Sequence, residues 1–453
     1  MIVMKFGGTS IADAVSILRV VNHIKARAAA KTVIVVSAIA EGTNLLTKIV
    51  NQASRGEEKI SRLELVAFKN RHLIIAAELI KDQTLLKQLE KIMNLLTAKV
   101  SERIGKIVTN LEYDDEDFSE ILSYGELFSS VLMKATLDYF GVAPWLVNAS
   151  EIIYTDDNYL KAAPLFEVME KETAPLLKRN LNQYKVILTQ GFIARNLSGK
   201  TTLLGREGSD YSAAIIGSLI DAREVQIWTD VTGVMTADPK AINNVRLVKQ
   251  LSFSEAAALS YFGAKVIHPA TIKPVAEKKI PIRVLNSTDT NPAQVGTIIS
   301  GEVSIGDNCL ISSLTFKKEV PALRLVADRL VIDQLLTQVK QGLIQDWIGY
   351  AFDEQTKELW VPIGGDVNNI PAELMRLSMA EVIMVSLVCL VGNFKETTKV
   401  LKFLSQITEV LKRRKVPFAV VEPLRLECLV IIVVSSELLS IAQELHDLLM
   451  GDP

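Results

Sequence analysis

Short runs of consecutive apolar, mostly β-branched residues alternate with longer stretches of helical spacing along residues 1–300. Residues 33–36, 186–188, 225–228 and 282–285 read as strands, because an apolar run without polar alternation suits a strand covered on both faces. Between them Leu, Ile and Ala recur at helical spacing over residues 11–29, 61–80 and 84–103. Buried strands separated by amphipathic helices predict an α/β domain, with a parallel-rich central sheet sandwiched by helices.

The pattern changes near residue 300. Residues 301–308 are small and polar and read as a linker. Two similar blocks follow. The first has apolar runs at 310–316, 323–326 and 358–362 and a helical stretch at 331–344. The second has runs at 383–391, 418–421 and 428–434 and helical stretches at 395–414 and 436–450. Each reads as a small α+β unit, so the expected organisation is a domain over 1–300 and two smaller ones over 308–377 and 378–453.

Composition narrows the class. The 453 residues are 49% hydrophobic and 23% charged, with a formal net charge of -2. Acidic and basic residues are interleaved, so no basic footprint for nucleic acid is present. Cys309, Cys389 and Cys428 are scattered without C-x-x-C spacing, which suits reduced thiols in a cytoplasmic protein. His23, His72, His268 and His446 share no metal-ligand spacing, so no dedicated metal site is expected. The apolar runs are too short to span a bilayer, and the N-terminus has no secretory pattern.

Five motifs suit phosphoryl transfer. Lys5-Phe6-Gly7-Gly8-Thr9-Ser10 lies between a strand and a helix, where backbone N–H groups, a helix N-terminus and Lys5 together attract an anion. A tight strand–helix turn explains the same hexamer. Ser37-Ala38 and Glu41-Gly42-Thr43-Asn44 follow the 33–36 strand, at the strand end where ligands collect in parallel sheets. A plain N-cap at Thr43 or Ser37 reads the same residues. Glu126 is one acid among Leu122, Leu127, Val131 and Leu132, and a near-buried carboxylate needs a cation or donor, from substrate or protein.

The richest motif is Thr201-Thr202-Leu203-Leu204-Gly205-Arg206-Glu207-Gly208-Ser209-Asp210. Arg206 suits bidentate capture of a carboxylate, Asp210 can orient a cation, and Ser209 alone could be an N-cap. Last, Thr229-Asp230 follows a strand and leads through Met235 and Lys240, with Lys265 beside Gly263 further on. Transfer to a carboxylate needs no general base, since the nucleophile is already ionised at neutral pH. Positioning and charge cancellation can supply the catalysis.

In order and spacing across residues 2–300 these motifs resemble the aspartate kinases, within the wider amino-acid kinase family. The resemblance implies transfer of the ATP γ-phosphoryl group to the side-chain carboxylate of aspartate, the first step towards lysine, threonine and methionine. It implies that Lys5, Gly7, Gly8 and Ser10 handle the β- and γ-phosphates. Thr43, Glu126 and Arg206 would hold aspartate, with Glu126 facing its ammonium. Ser209 and Asp210 would organise the active-site loop and its lysine. Thr229, Asp230, Met235, Lys240 and Lys265 would contact the nucleotide, and Mg²⁺ would arrive chelated by ATP.

The chain departs from the family pattern at Leu203, where a threonine is usual, and at Glu207, where glycine is usual. Met235 and Lys240 stand for a usual tyrosine and arginine. The C-terminal blocks resemble paired ACT regulatory domains, which implies an amino-acid effector and a homodimer or higher oligomer. The first block has Lys317-Lys318-Glu319-Val320-Pro321 in place of the family's glycine-bearing turn. Two other readings stay open: a kinase for glutamate or N-acetylglutamate, and a weakly catalytic amino-acid sensor.

Overall fold

The strand Ile2–Phe6 stands in the middle of a sheet, with Thr32–Val36 parallel to it on one side and Glu224–Thr229 parallel on the other. Val186–Gln190 and then Trp145–Leu146 extend the first side in parallel. Ile282–Asn286 extends the second in parallel, and Thr297–Ser300 follows it antiparallel. Ile2, Val3, Met4, Phe6 and residues 33–36 are no more than 2% exposed, which explains why these strands read as unbroken apolar runs. The computed structural model describes residues 1–27, 30–264, 267–291, 293–301, 311–340, 348–353, 356–364, 380–392, 394, 397–415, 418–423, 428–433 and 437–450.

Four helices, Gly42–Ser54, Glu58–Leu79, Gln83–Asn110 and Asp115–Tyr139, follow the second strand. Their shared core includes Leu46, Ile49, Phe68, Met93, Ile104 and Phe128. Asp82 and Asp114 cap the last two by accepting first-turn N–H groups. The chain thus fills one side of the central strand before it returns to the other side as Glu224–Thr229. Strand order therefore reverses between Ile2–Phe6 and Glu224–Thr229, and a crevice opens beyond their carboxyl ends, where α/β sheets bind ligands.

The chain divides into two units, Met1–Val234 with Ile267–Gly301, and Met235–Val266 with Glu302–Pro453. The division differs from the expected boundary at 300, because residues after Val234 pack with the C-terminal blocks. The Leu314 N–H donates to the Thr236 carbonyl at 2.8 Å, and the Ser313 hydroxyl donates to the Met235 carbonyl at 3.0 Å. Ala237 and Ile242 share a core with Leu390, Ile407 and Ile441.

In the second unit the two blocks build one closed barrel rather than two separate sheets. The runs expected at 310–316 and 323–326 are one strand, Ile311–Val326, antiparallel to Ala380–Gly392. The polar stretch between them stays in the strand because a register shift falls between Lys317 and Val320, where Glu319 adopts φ 53. Such a bulge absorbs extra residues without ending a strand. Ala380–Gly392 pairs on its other side with Cys428–Val433, so it has no open edge. Cys389 and Cys428, distant in sequence, lie on these neighbouring strands as buried free thiols, and burial pushes the Cys389 thiol up. Cys309 and most of the expected linker lie outside the described residues. No helix among the described residues is long and apolar enough to cross a membrane.

Candidate active site

Beyond the carboxyl ends of the central strands, the first unit encloses a cavity of about 670 Å³. Lys5, Gly7, Gly8, Thr43, Glu126, Arg206, Ser209, Asp210 and Thr229 all line it. Motifs spread over more than two hundred residues therefore converge on one pocket. Lys5 is the last charged residue of the central strand, and its Nζ stands 2.6 Å from Asp210 Oδ1, with both side chains about nine-tenths buried.

The glycine loop sits close to its neighbours. The Gly7 N–H donates to the Trp228 carbonyl at 3.2 Å, across the strand reversal. A Cβ on Gly8 would come within 2.7 Å of the Ala38 carbonyl oxygen, so only glycine lets this loop approach the next strand end. On the far side of Ala38, a Cβ on Gly125 would lie 2.9 Å from the Ala38 Cβ. Two glycines therefore bring a loop and a helix against one residue.

That approach places Glu126. Its Oε1 accepts the Ala38 N–H at 3.0 Å, while the Ile39 N–H donates to Ser129 Oγ at 2.9 Å. Glu126 Oε2 is buried without a hydrogen-bond partner. Burial pushes the Glu126 carboxyl up to about 8, against the opposing pull of the Ala38 N–H and of Lys5. Without a cation beside it, this carboxyl holds its proton at neutral pH.

Two helices, Gly42–Ser54 and Gly208–Leu219, begin at the pocket. Neither starts with the side-chain cap that Thr43, Ser37 or Ser209 could supply. Each is preceded instead by a glutamate in the left-handed region, Glu41 at φ 63 and Glu207 at φ 56, with no side-chain cap hydrogen bond. Uncapped first-turn N–H groups and the helix dipole favour an anion in the cavity. The hairpin Ile193–Asn196 and Thr201–Leu203 carries the loop that leads into the second of these helices. Leu203 is 1% exposed and forms part of the pocket wall.

Other expected residues stand elsewhere. Ser10 is 2% exposed and does not line the cavity. Its hydroxyl donates to Ser287 Oγ at 2.8 Å, and Ser287 in turn donates to the Thr229 carbonyl at 2.9 Å. Asp230 is exposed outside the pocket lining and accepts from the Thr229 hydroxyl at 3.1 Å. Met235 and Lys240 belong to the second unit, and Lys265 lies outside the described residues. Sequence reasoning missed Gly191, where an added Cβ would lie 2.5 Å from Ser209 Cβ, and the backbone of residues 38–40. The Gly191 signal was available as a glycine directly after the 186–190 strand; the backbone role of Ala38 had none.

Residues 1–286 match the model of the amino acid kinase family. A bifunctional aspartokinase/homoserine dehydrogenase of Buchnera aphidicola is 33% identical over 349 residues, covering 76% of this chain and 42% of that protein. The lysine-sensitive aspartokinase 3 of Escherichia coli is 33% identical over 298 residues, covering 66% of this chain and 64% of that protein. Both alignments thus span less than two-thirds of the relative's length. The crystal structure of E. coli aspartokinase III in complex with aspartate and ADP superimposes with a TM-score of 0.78 at 26% identity, over 99% of this chain and 100% of that one. With its family match across residues 1–286 and a parallel-rich sheet whose carboxyl ends open onto an anion-ready pocket, the chain belongs to the amino acid kinase family.

Proposed function

We propose that this chain is an aspartate kinase, which moves the γ-phosphoryl group of ATP onto the side-chain carboxylate of L-aspartate. The observation that carries the reading is the pocket's division of charge. Lys5, the glycine loop and two uncapped helix N-termini suit phosphate, while a buried carboxylate with one unpartnered oxygen suits an ammonium. An amino acid with a second carboxylate presents both groups. The aspartate and ADP held by the E. coli structure agree with that division.

The chain's own residues then act as follows. Lys5 releases part of its attachment to Asp210 and places its charge on the phosphates, where negative charge must be neutralised during transfer. Asp210 keeps Lys5 aimed into the pocket. Glu126 takes the substrate ammonium at Oε2, and that cation drives off the proton the buried carboxyl holds. Arg206, exposed on the pocket rim, takes a carboxylate, and Thr43 adds a hydroxyl. The acceptor carboxylate attacks without a base. Mg²⁺ would come bound to the triphosphate and would supply screening of its charge.

Met235, Lys240 and Lys265 are retained in this reading as nucleotide contacts, and Asp230 as a neighbour that orients Thr229. The two C-terminal blocks are read as ACT-like domains that carry an amino-acid effector, and the lysine-sensitive E. coli relative supports that class. A homodimer or higher oligomer remains part of the proposal. Ala380–Gly392 is paired on both sides, so the support comes from the exposed Leu330, Val331, Met384 and Leu401. A cytoplasmic location completes the reading, supported by the free thiols of Cys389 and Cys428. A coupled assay of ADP release with aspartate, glutamate and N-acetylglutamate tests the substrate, and release with glutamate alone would overturn it.

A further inference from the structure

The same strands that end at the pocket begin at a second recess. At the amino ends of Ile2–Phe6 and Glu224–Thr229, a cavity of about 540 Å³ is lined by Arg27, Arg223, Glu224, Gln226, Arg283 and Gln294. Three guanidinium groups therefore face one carboxylate. Glu224 is already committed, since it accepts from Arg283 Nε at 3.1 Å and from the Gln226 amide. Gln226 is 4% exposed and its other amide atom accepts from the Trp228 indole at 3.2 Å.

Arg27 is the most confined of the three cations. Its guanidinium lies 4.6 Å from the centre of the Trp228 ring and donates to the His23 carbonyl at 3.3 Å. Burial holds it below its usual range; Glu224 pulls it back, and Arg283 adds to the depression. Arg223 reaches the recess from the exposed start of its strand. Planar guanidinium forks converging on a recess, with more positive charge than the protein answers, suit a planar or tetrahedral oxyanion, and a phosphate brings more negative charge to three cations than a single carboxylate does.

We propose that this recess is a second anion site, distinct from the phosphoryl-transfer pocket, which binds a small phosphate-bearing polyanion through Arg27, Arg223 and Arg283. Glu224 holds Arg283 in place and at the same time weakens the site by its charge. The ligand's phosphate is the recognised group; the Gln226 and Gln294 amides are held by Glu224, Trp228, Asn286 and Asp289 and shape the wall of the recess.

Opposite signs at adjacent residues test this. Inorganic pyrophosphate is titrated calorimetrically into the full chain saturated with a non-hydrolysable ATP analogue and Mg²⁺, so that the first pocket is occupied. The wild type binds it, Arg223→Gln weakens binding about tenfold, and Glu224→Gln tightens it. Arg223 is exposed, so its substitution leaves the fold intact, which a melting curve verifies. A parallel titration with ADP shows whether the ligand is diphosphate alone or carries a nucleoside. Absence of binding in the millimolar range, or binding that neither substitution moves, overturns the proposal.

Discussion

Lys5 Nζ and Asp210 Oδ1 stand 2.6 Å apart, joining the end of the first strand to the first turn of a helix more than two hundred residues later. The pair is about nine-tenths buried, so neither charge is comfortable without the other. Lys5→Ala is expected to lower phosphoryl transfer about a thousandfold or more. It also strands Asp210, at a cost of about 3 kcal/mol. Adding Asp210→Asn to Lys5→Ala should restore much of that stability and none of the activity. Denaturant melts and turnover of the two variants check both halves.

Glu126 makes stability depend on pH in a definite direction. Its carboxyl ionises near 4.5 in ordinary surroundings and at about 8 here. Between those values the folded chain holds a proton that the unfolded chain has lost, so the contribution is complete below pH 4.5 and disappears as pH rises through about 8. Glu126→Gln keeps the acceptor for the Ala38 N–H and removes the titration. Wild type should lose stability relative to this variant as pH rises through that window, measured by melts at several pH values. The same variant should raise the KM for aspartate about tenfold or more.

Glu207 sits at φ 56 with a Cβ that this region disfavours. Replacing a left-handed non-glycine residue by glycine relieves about 1 kcal/mol of strain. Glu207→Gly should therefore raise the melting temperature, and by removing a negative charge from the rim it should tighten nucleotide binding. A lower melting temperature would mean that the glutamate side chain contributes more than its backbone costs.

Ser10 tests how the glycine loop is held. Its hydroxyl reaches Thr229 through Ser287 and does not line the cavity. Ser10→Ala should cost about 1 kcal/mol of stability and far less activity than Lys5→Ala. A loss of turnover as large as that of Lys5→Ala, with an unchanged melting curve, would instead place the hydroxyl on the phosphates.

Much of this arrangement is legible in the sequence. Residues 33–36 and 225–228 read as buried strands because both faces are covered, and glycine pairs after strands marked the loops. Convergence of Lys5, Glu126 and Asp210 was legible only through resemblance, since periodicity does not say which strand ends meet. Ser10 was ambiguous in the sequence, because a hydroxyl beside two glycines looks the same whether it faces ligand or Ser287. The boundary at 300 missed the second unit's claim on the residues after Val234, because the Leu314–Thr236 hydrogen bond and the core around Ala237 and Ile242 are long-range and have no local signature. Glu319 hid a continuous strand, because a bulge and a turn use the same polar residues.

The central claim is transfer to a carboxylate in the pocket that holds Lys5 and Glu126. Hydroxylamine trapping of the acyl phosphate, with Mg²⁺ and ATP present, tests it most directly. Wild type with L-aspartate should give aspartyl hydroxamate, Lys5→Ala a trace at most, and glutamate or N-acetylglutamate none. Hydroxamate formed equally well by Lys5→Ala, or from glutamate in place of aspartate, would contradict it.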